Sequence, residues 1–285
     1  MIERGTLYLV ATPIGNLEDI TLRAIRILKE VNLIAAEDTR QTLKLLNHLG
    51  ISKPLTSYFR HNESRKGEYI IGKLLDGENV ALVSDAGTPG ISDPGEELVS
   101  LAIQNHIKVS PIPGPVAAIS GLIVSGLQTG RFAFEGFLPM NKRARKERME
   151  VLKEEPRTML YYEAPHKLIH TLKDMYQNFG ERKIVLAREI TKVFEEAVRI
   201  NLSEAISLYE DKNPKGEFVI VVEGKKDEMG KSQLDWEELS ITQHLKIYIE
   251  LGMNQKEAMK KVAEERNISK KDVYKEIVKE KNLTP

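Results

Sequence analysis

Short unbroken apolar runs alternate with amphipathic stretches along the first hundred residues of the chain. Runs at 6–11, 33–36 and 80–83 predict strands, 55–59 reads as a short extended piece and 108–112 as a further strand, and the segments between them predict helices at 21–30, 39–49, 64–76 and 96–104. The first of these helices carries Leu22, Ile25 and Leu28 on one face. Strands that are apolar at every position are buried on both faces, which is the mark of a doubly wound parallel sheet. Pro111-Ile112-Pro113-Gly114-Pro115 then reads as a hinge, followed by an apolar small-residue helix at 116–125.

A second α/β pattern begins beyond it. Strands are expected at 132–137, 158–162, 183–187, 193–200 and 218–223, with helices at 143–153, 168–178 and 203–209. The strands on either side of Thr191 have no room for a long crossover, so part of this sheet should be antiparallel. Residues 224–235 are polar and read as a linker, after which the pattern is helical throughout: 241–251, 254–267 and 269–279. Asn254 and Ser269 open the last two helices as caps, and Gly252 ends the one before. The expected fold is therefore α/β: a mostly parallel domain at 1–114, a mixed-sheet domain at 115–226 and a C-terminal helical module at 236–285. Three short helices with tight turns suit a helix-turn-helix unit or a plain capping bundle, and the nearly balanced charge leaves both readings open.

Composition narrows the chemistry. At 285 residues and 41% hydrophobic content the chain can bury two cores. It has no cysteine, which removes disulfides, thiolate metal sites and cysteine nucleophiles. The N-terminal Met1-Ile2-Glu3-Arg4-Gly5 runs straight into a strand without a leader, and no stretch of about 18 apolar residues occurs, so a cytoplasmic protein without membrane contact is expected. Lys plus Arg and Asp plus Glu both total 42, so the chain as a whole is not steered toward nucleic acid. A contact with RNA would need a local patch. Lys142, Arg143, Arg145, Lys146 and Arg148, against the single acid Glu147, form one candidate, and a solvated helix face is the other reading.

The most informative segment is 84–95, Ser-Asp-Ala-Gly-Thr-Pro-Gly-Ile-Ser-Asp-Pro-Gly, directly after the apolar run 80–83. Its glycines permit close ligand approach and its prolines stiffen the remainder. A loop of this kind at the carboxyl end of a buried strand is where open α/β sheets bind small molecules. It has two aspartates and no basic residue, unlike a phosphate loop ending in Gly-Lys-Ser/Thr. Such a cradle suits a cationic ligand, and S-adenosylmethionine, with sulfonium and ammonium groups, is one. Asp93-Pro94-Gly95-Glu96 also reads as a helix start with Asp93 as its cap, whereas Asp85 lies too far upstream to cap anything.

Two further segments emerge at the same sheet edge. In Ala36-Glu37-Asp38-Thr39-Arg40, Asp38 can cap the following helix, while Glu37 and Arg40 are free for chemistry or for an ion pair with each other. In Tyr58-Phe59-Arg60-His61-Asn62-Glu63, His61 can take a proton, Arg60 can hold a phosphate and the aromatics can stack on a base, although a surface turn would also explain them. His166 and His170 share a helix face, but with no cysteine or third ligand nearby no metal is expected.

Taken in order, Leu7–Asn16, Ala36–Arg40, Ser57–Glu63, the loop 84–95, Pro113-Gly114-Pro115, Phe134–Pro139, Tyr162–His166, Arg188–Lys192 and Gly216–Gly224 resemble the tetrapyrrole methylase superfamily over residues 5–224. Within it they are similar to the branch that methylates a cytidine ribose 2′-oxygen in the decoding region of 16S ribosomal RNA in the small subunit. The resemblance implies two α/β domains with S-adenosylmethionine in the cleft between them, and a homodimer. It assigns donor contacts to Pro13, Ile14, Asp85, Gly87, Thr88, Ile91, Ser92, Ala117, Ala118, Tyr162 and the backbone near Phe218. Glu37 or His61 would act as general base, with Arg40, Arg60 and the 142–148 patch (Lys142, Arg143, Arg145 and Lys146) on the RNA. A corrin methyltransferase, a methylase of a modified protein histidine and a non-catalytic ribosome-binding factor are the alternatives.

Overall fold

The computed structural model describes residues 3–212, 214–225, 239–250 and 252–281. Most of the expected linker, the start of the expected helical module at 236–238, and Leu251 lie outside the described residues. The chain divides into two compact units, 1–225 and 226–285.

The larger unit holds two five-stranded sheets. The first is built from β1 (Thr6–Val10), β2 (Leu33–Ala36), β3 (Leu55–Ser57), β4 (Val80–Val83) and β5 (Lys108–Ile112), in the order β3-β2-β4-β1-β5. Every pairing is parallel, with Leu7 opposite Val80 and Ala36 opposite Val83. All four residues of β2 and of β4 are buried, as their unbroken apolar sequence requires. Helices α1 (Leu22–Glu30), α2 (Thr39–His48), α3 (Glu63–Leu75) and α4 (Glu96–Gln104) cover the faces. The Thr21 hydroxyl caps α1 and the Asp38 carboxylate caps α2, each accepting an N–H of the first turn. Leu28 and Leu46 fill one face of the sheet; Ile70, Leu74 and Leu98 fill the other.

The second sheet orders its strands β6-β7-β10-β8-β9, where β6 is Phe132–Gly136, β7 Thr158–Glu163, β8 Lys183–Arg188, β9 Glu196–Asn201 and β10 Phe218–Val222. Only β6 and β7 pair in parallel, so the sheet is mixed as expected. Helix α5 (Ala117–Ser125) packs on it: a Cβ at Gly121 would come within 2.8 Å of Val219 Cγ1. Helices α6 (Lys142–Leu152), α7 (Leu168–Phe179) and α8 (Leu202–Tyr209) complete this part.

Two local expectations are corrected. The strand expected at 193–200 starts only at Glu196, because 189–195 close into a turn. There the Lys192 N–H donates to the Glu189 carbonyl at 2.9 Å, the Thr191 N–H to the Glu195 carboxylate at 2.6 Å, and Thr191 sits at φ +68°. Val193 and Phe194 are left 94% and 75% exposed. The cap of α4 is Gly95 and not Asp93. Gly95 has φ +143°, and a Cβ there would meet Leu82 Cδ2 at 2.9 Å, so the helix starts two residues later than a capping Asp93 would place it.

In the smaller unit α9 (Ile241–Glu250), α10 (Gln255–Glu265) and α11 (Lys270–Lys281) share a core of Leu245, Tyr248, Met259, Val262, Val273 and Ile277. The Asn254 side chain caps α10 by accepting the Glu257 N–H at 3.0 Å.

Candidate active site

The carboxyl ends of β1, β2 and β4 come together where the 84–95 loop leaves the sheet. Thr12 and Gly87 exchange both backbone hydrogen bonds, at 2.8 and 3.1 Å, and pin the loop to the end of β1. Gly87 holds φ +86° there, a conformation that side chains resist. The Thr88 hydroxyl donates to the Pro115 carbonyl at 3.2 Å and ties the loop to the hinge. Both anchors fall at adjacent residues, so the loop is held at 87–88.

Over this loop lies a cavity of about 520 Å³, within the range of small-molecule sites. The first sheet contributes Ile14, Glu37, Asp85, Gly87, Thr88, Ile91, Ser92 and Asp93; the second contributes Val116, Ala117, Phe137, Tyr162, Glu163, Glu189, Lys192 and Phe218, among others. Lys192 crosses between them: a Cβ at Gly15 would lie 2.3 Å from its Cγ. Its ammonium is neutralised by Glu189 at 2.9 Å and Glu217 at 3.2 Å. A larger cavity of about 1430 Å³ adjoins the first, sharing Glu37, Ser92, Asp93, Phe137 and Glu163 with it.

Carboxylates dominate the seam. Burial, with repulsion from Asp85, raises the pKa of Glu37 against the pull of the Asp85 N–H and Arg60. Burial also pushes Asp93 from 3.8 to about 6, helped by Glu37 and opposed by the Ser84 hydroxyl. Asp85 is exposed and accepts the Asp38 N–H at 3.0 Å, while its own N–H donates to Glu37 at 3.4 Å. Two raised carboxyls beside one left in solvent can hold a cation and pass a proton near neutral pH.

Most of the residues singled out in the sequence meet here: Ile14, Glu37, Asp85, Gly87, Thr88, Ile91, Ser92, Ala117, Tyr162 and Phe218 all line the smaller cavity. Ala118 lies buried just beneath, its N–H donating to the Tyr162 hydroxyl at 3.1 Å. Pro13 lines a separate recess with Gln41, Lys44, His48 and Asp85. Arg60 lines the larger cavity and donates to the Ser92 carbonyl at 3.4 Å. His61 is exposed and lines none of these cavities. Arg40 is also outside them, and its ion pair is with Asp38 at 2.9 Å rather than with Glu37. Tyr58 is fully buried and belongs to the core, so it has no face for a base.

The basic patch divides by residue type. Each arginine of α6 has a carboxylate partner: Arg143 with Glu147 at 2.9 Å, Arg145 with Asp174 at 2.5 Å and Arg148 with Glu135 at 2.5 Å. Lys142 and Lys146 make no ion pair among the described residues and, with Arg145, line the larger cavity; Arg143 does not.

Sequence reasoning missed Asp93 as a site residue, because Asp-Pro-Gly-Glu imitates a helix start, and it assigned no role to Glu163. Glu163 is buried at the seam; it accepts the Ala164 N–H at 2.9 Å and the Thr171 hydroxyl, and Thr171 in turn accepts from Arg145 at 2.8 Å. An acidic residue ending the otherwise apolar strand β7 was the available signal.

Comparison with known proteins agrees with this geometry. Residues 6–206 match the family described as tetrapyrrole (corrin/porphyrin) methylases. The chain is 51% identical over 268 residues to the ribosomal RNA small subunit methyltransferase I of Halalkalibacterium halodurans, covering 94% of this chain and 93% of that protein. It is 47% identical over 269 residues to the protein of the same name from Bacillus subtilis, covering 94% and 92%. Among solved structures, the uroporphyrin-III C-methyltransferase of Thermus thermophilus, complexed with S-adenosylhomocysteine, superposes with a TM-score of 0.54 at 18% identity, over 76% of this chain and 97% of that one. The sheet order, the 84–95 loop and these similarities agree: the chain belongs to the tetrapyrrole methylases, within the group of ribosomal RNA small subunit methyltransferases I.

Proposed function

We propose that the protein transfers a methyl group from S-adenosylmethionine to the 2′-oxygen of a cytidine ribose in the decoding region of 16S ribosomal RNA, working in the cytoplasm on the small subunit. The observation that carries this reading is the seam of Glu37 and Asp93, two buried-side carboxyls with raised pKa values where a donor-sized cavity opens into a larger one that Lys142, Lys146 and Lys167 line. The donor suits the smaller cavity: Glu37, Asp85 and Asp93 face its positive charges, and the only lysine there is already neutralised. When bound, the donor supplies a methyl group already activated on a sulfonium.

The protein's task is then alignment and proton removal. The 2′-hydroxyl must lose its proton as the oxygen–carbon bond forms and the carbon–sulfur bond breaks, its electron pair staying on sulfur. Glu37 is the preferred acceptor of that proton, since its carboxyl touches both cavities and burial makes it more basic than a surface glutamate. Asp93 shares the seam and holds the positive charge beside it. Alignment of the two reactants contributes several kcal/mol. His61, exposed and outside the cavities, is the weaker candidate base. Arg60, Lys142 and Lys146 hold the RNA.

A homodimer accompanies this reading. Ile123 on α5 is 68% exposed, and Val193 and Phe194 stand out from the 189–195 turn of the same sheet. Light scattering should report a dimer that Phe194→Asp dissociates. The reaction itself is tested by nucleoside mass spectrometry of small-subunit RNA after incubation with enzyme and labelled donor. A 2′-O-methylcytidine is expected, and label only in a corrin, in protein or on a base would overturn the assignment.

A further inference from the structure

The larger cavity has an apolar surface that donor binding and proton removal leave without a role. Phe137, next in sequence after β6, is 58% exposed, and Met140 is 82% exposed; both line this cavity. Covering such side chains removes apolar area from water, so two of them open within a cavity form a platform for a ligand. Phe137 is also held in place. Gly136, just before it, sits at φ +60°, where a Cβ would lie 3.0 Å from Ser92 Oγ, and the ring packs against Tyr162 at 5.6 Å between centroids. The same cavity is lined by three lysines without carboxylate partners, with a histidine among them. Lys142 and Lys146 come from α6, Lys167 lies just before α7 and His170 is in its first turn. None of the three lysines makes an ion pair among the described residues, whereas Arg143, Arg145 and Arg148 are all engaged.

A planar apolar seat rimmed by free lysines matches a nucleobase with phosphates on either side. Phe137 and Glu37 both line the two cavities, so a base stacked on Phe137 brings its own sugar to the seam. Inside a stacked helix, a base has no free face for Phe137 to cover. We propose that the larger cavity receives one nucleotide turned out of its strand, its base on Phe137 and Met140 and its flanking phosphates on Lys142, Lys146, Lys167 and His170. This rests on the RNA reading above and adds the site, the orientation and the need for an unstacked target.

The test uses the full-length enzyme, unmethylated small subunits and labelled donor. Phe137→Leu preserves an apolar wall for the donor but removes the stacking face. It should raise KM for subunits or lower single-turnover rate by about 5- to 150-fold, the range for losing one base–aromatic stack, with donor affinity by calorimetry nearly unchanged. Phe137→Trp should restore most of the loss. Lys146→Ala and Lys167→Ala should each lower the slope of log affinity against log salt by about 0.7, as for a single-strand phosphate contact. If wild-type enzyme labels no RNA, the RNA reading itself fails. If wild type labels RNA while Phe137→Leu, Lys146→Ala and Lys167→Ala all stay within twofold of it, the nucleotide seat is refuted and the reaction reading stands.

Discussion

Asp93→Asn should make the protein more stable and less active, and the size of the gain follows from its environment. The native site raises the Asp93 pKa from 3.8 to about 6, chiefly by burial and next by repulsion from Glu37. A raised carboxyl binds its proton more tightly in the folded than in the unfolded state, so stability falls as pH climbs from about 4 to 6 and stays low above that. The full interval corresponds to about 3 kcal/mol at pH 8, which solvent screening of this partly exposed group reduces to about 1–2 kcal/mol, with about a third of that at pH 4.5. Asparagine cannot ionise and removes the penalty, while its carbonyl oxygen can still accept from Ser84. A unit of this size gains about 2–4 °C in melting temperature per kcal/mol, so the variant should melt about 2–8 °C higher at pH 8 and about a third of that at pH 4.5. Differential scanning calorimetry of both proteins at the two pH values makes the measurement. An unchanged or lower melting point at pH 8, or an equal rise at both pH values, would show that Asp93 carries no buried charge. Methyl transfer by the variant should fall at the same time, since the destabilising carboxylate is the one facing the donor's positive charge.

Glu37→Gln should lower the single-turnover rate by about 10²–10⁴-fold with little change in donor affinity, and wild-type activity should fall with decreasing pH through a value above the ordinary glutamate range; a variant of near-normal rate would remove Glu37 as base. Tyr162→Phe leaves the Ala118 N–H without its acceptor, so it should cost about 1 kcal/mol in urea denaturation and weaken donor binding measured by calorimetry. In the C-terminal helices the buried His244 accepts from Arg266 at 3.2 Å and contacts Glu265 at 3.1 Å, and burial followed by Arg266 lowers its pKa. A lowered histidine favours its neutral form, so stability is complete above about pH 6.5 and lost as pH falls below it. Proteolysis within 239–281 should therefore accelerate between pH 7.5 and 5.5 in wild type, and His244→Gln should abolish that dependence.

What the sequence disclosed and what it hid divide along one physical line. Strands buried on both faces, such as β2 and β4, write their environment into every residue, and both were legible to the residue. The 84–95 loop was legible for a similar reason, because glycine at φ +86° and proline leave few other uses for such a segment. Properties that depend on a partner distant in sequence were not. Asp93 carries the same Asp-Pro-Gly-Glu signature whether or not it caps a helix, and only the position of Gly95, fixed against Leu82, decides. Lys142, Arg143, Arg145 and Lys146 look alike as a string, yet Asp174 and Glu135 claim Arg145 and Arg148 from other elements and leave the lysines free.

That partition has a chemical logic. Arginine forms bidentate, geometrically fixed pairs and suits the internal bracing of α6, while lysine is a mobile point charge that can follow a phosphate. The bracing reaches the carboxylate seam. Arg145 holds Thr171, Thr171 donates to Glu163, and Glu163 lies at the seam beside Glu37 and Asp93. Loss of Arg145 would thus act on the rate through Glu163, whereas loss of Lys146 would act on RNA affinity and its salt dependence. Two consecutive residues on one helix, alike in charge but not in role, are separable by kinetics where the sequence alone joins them.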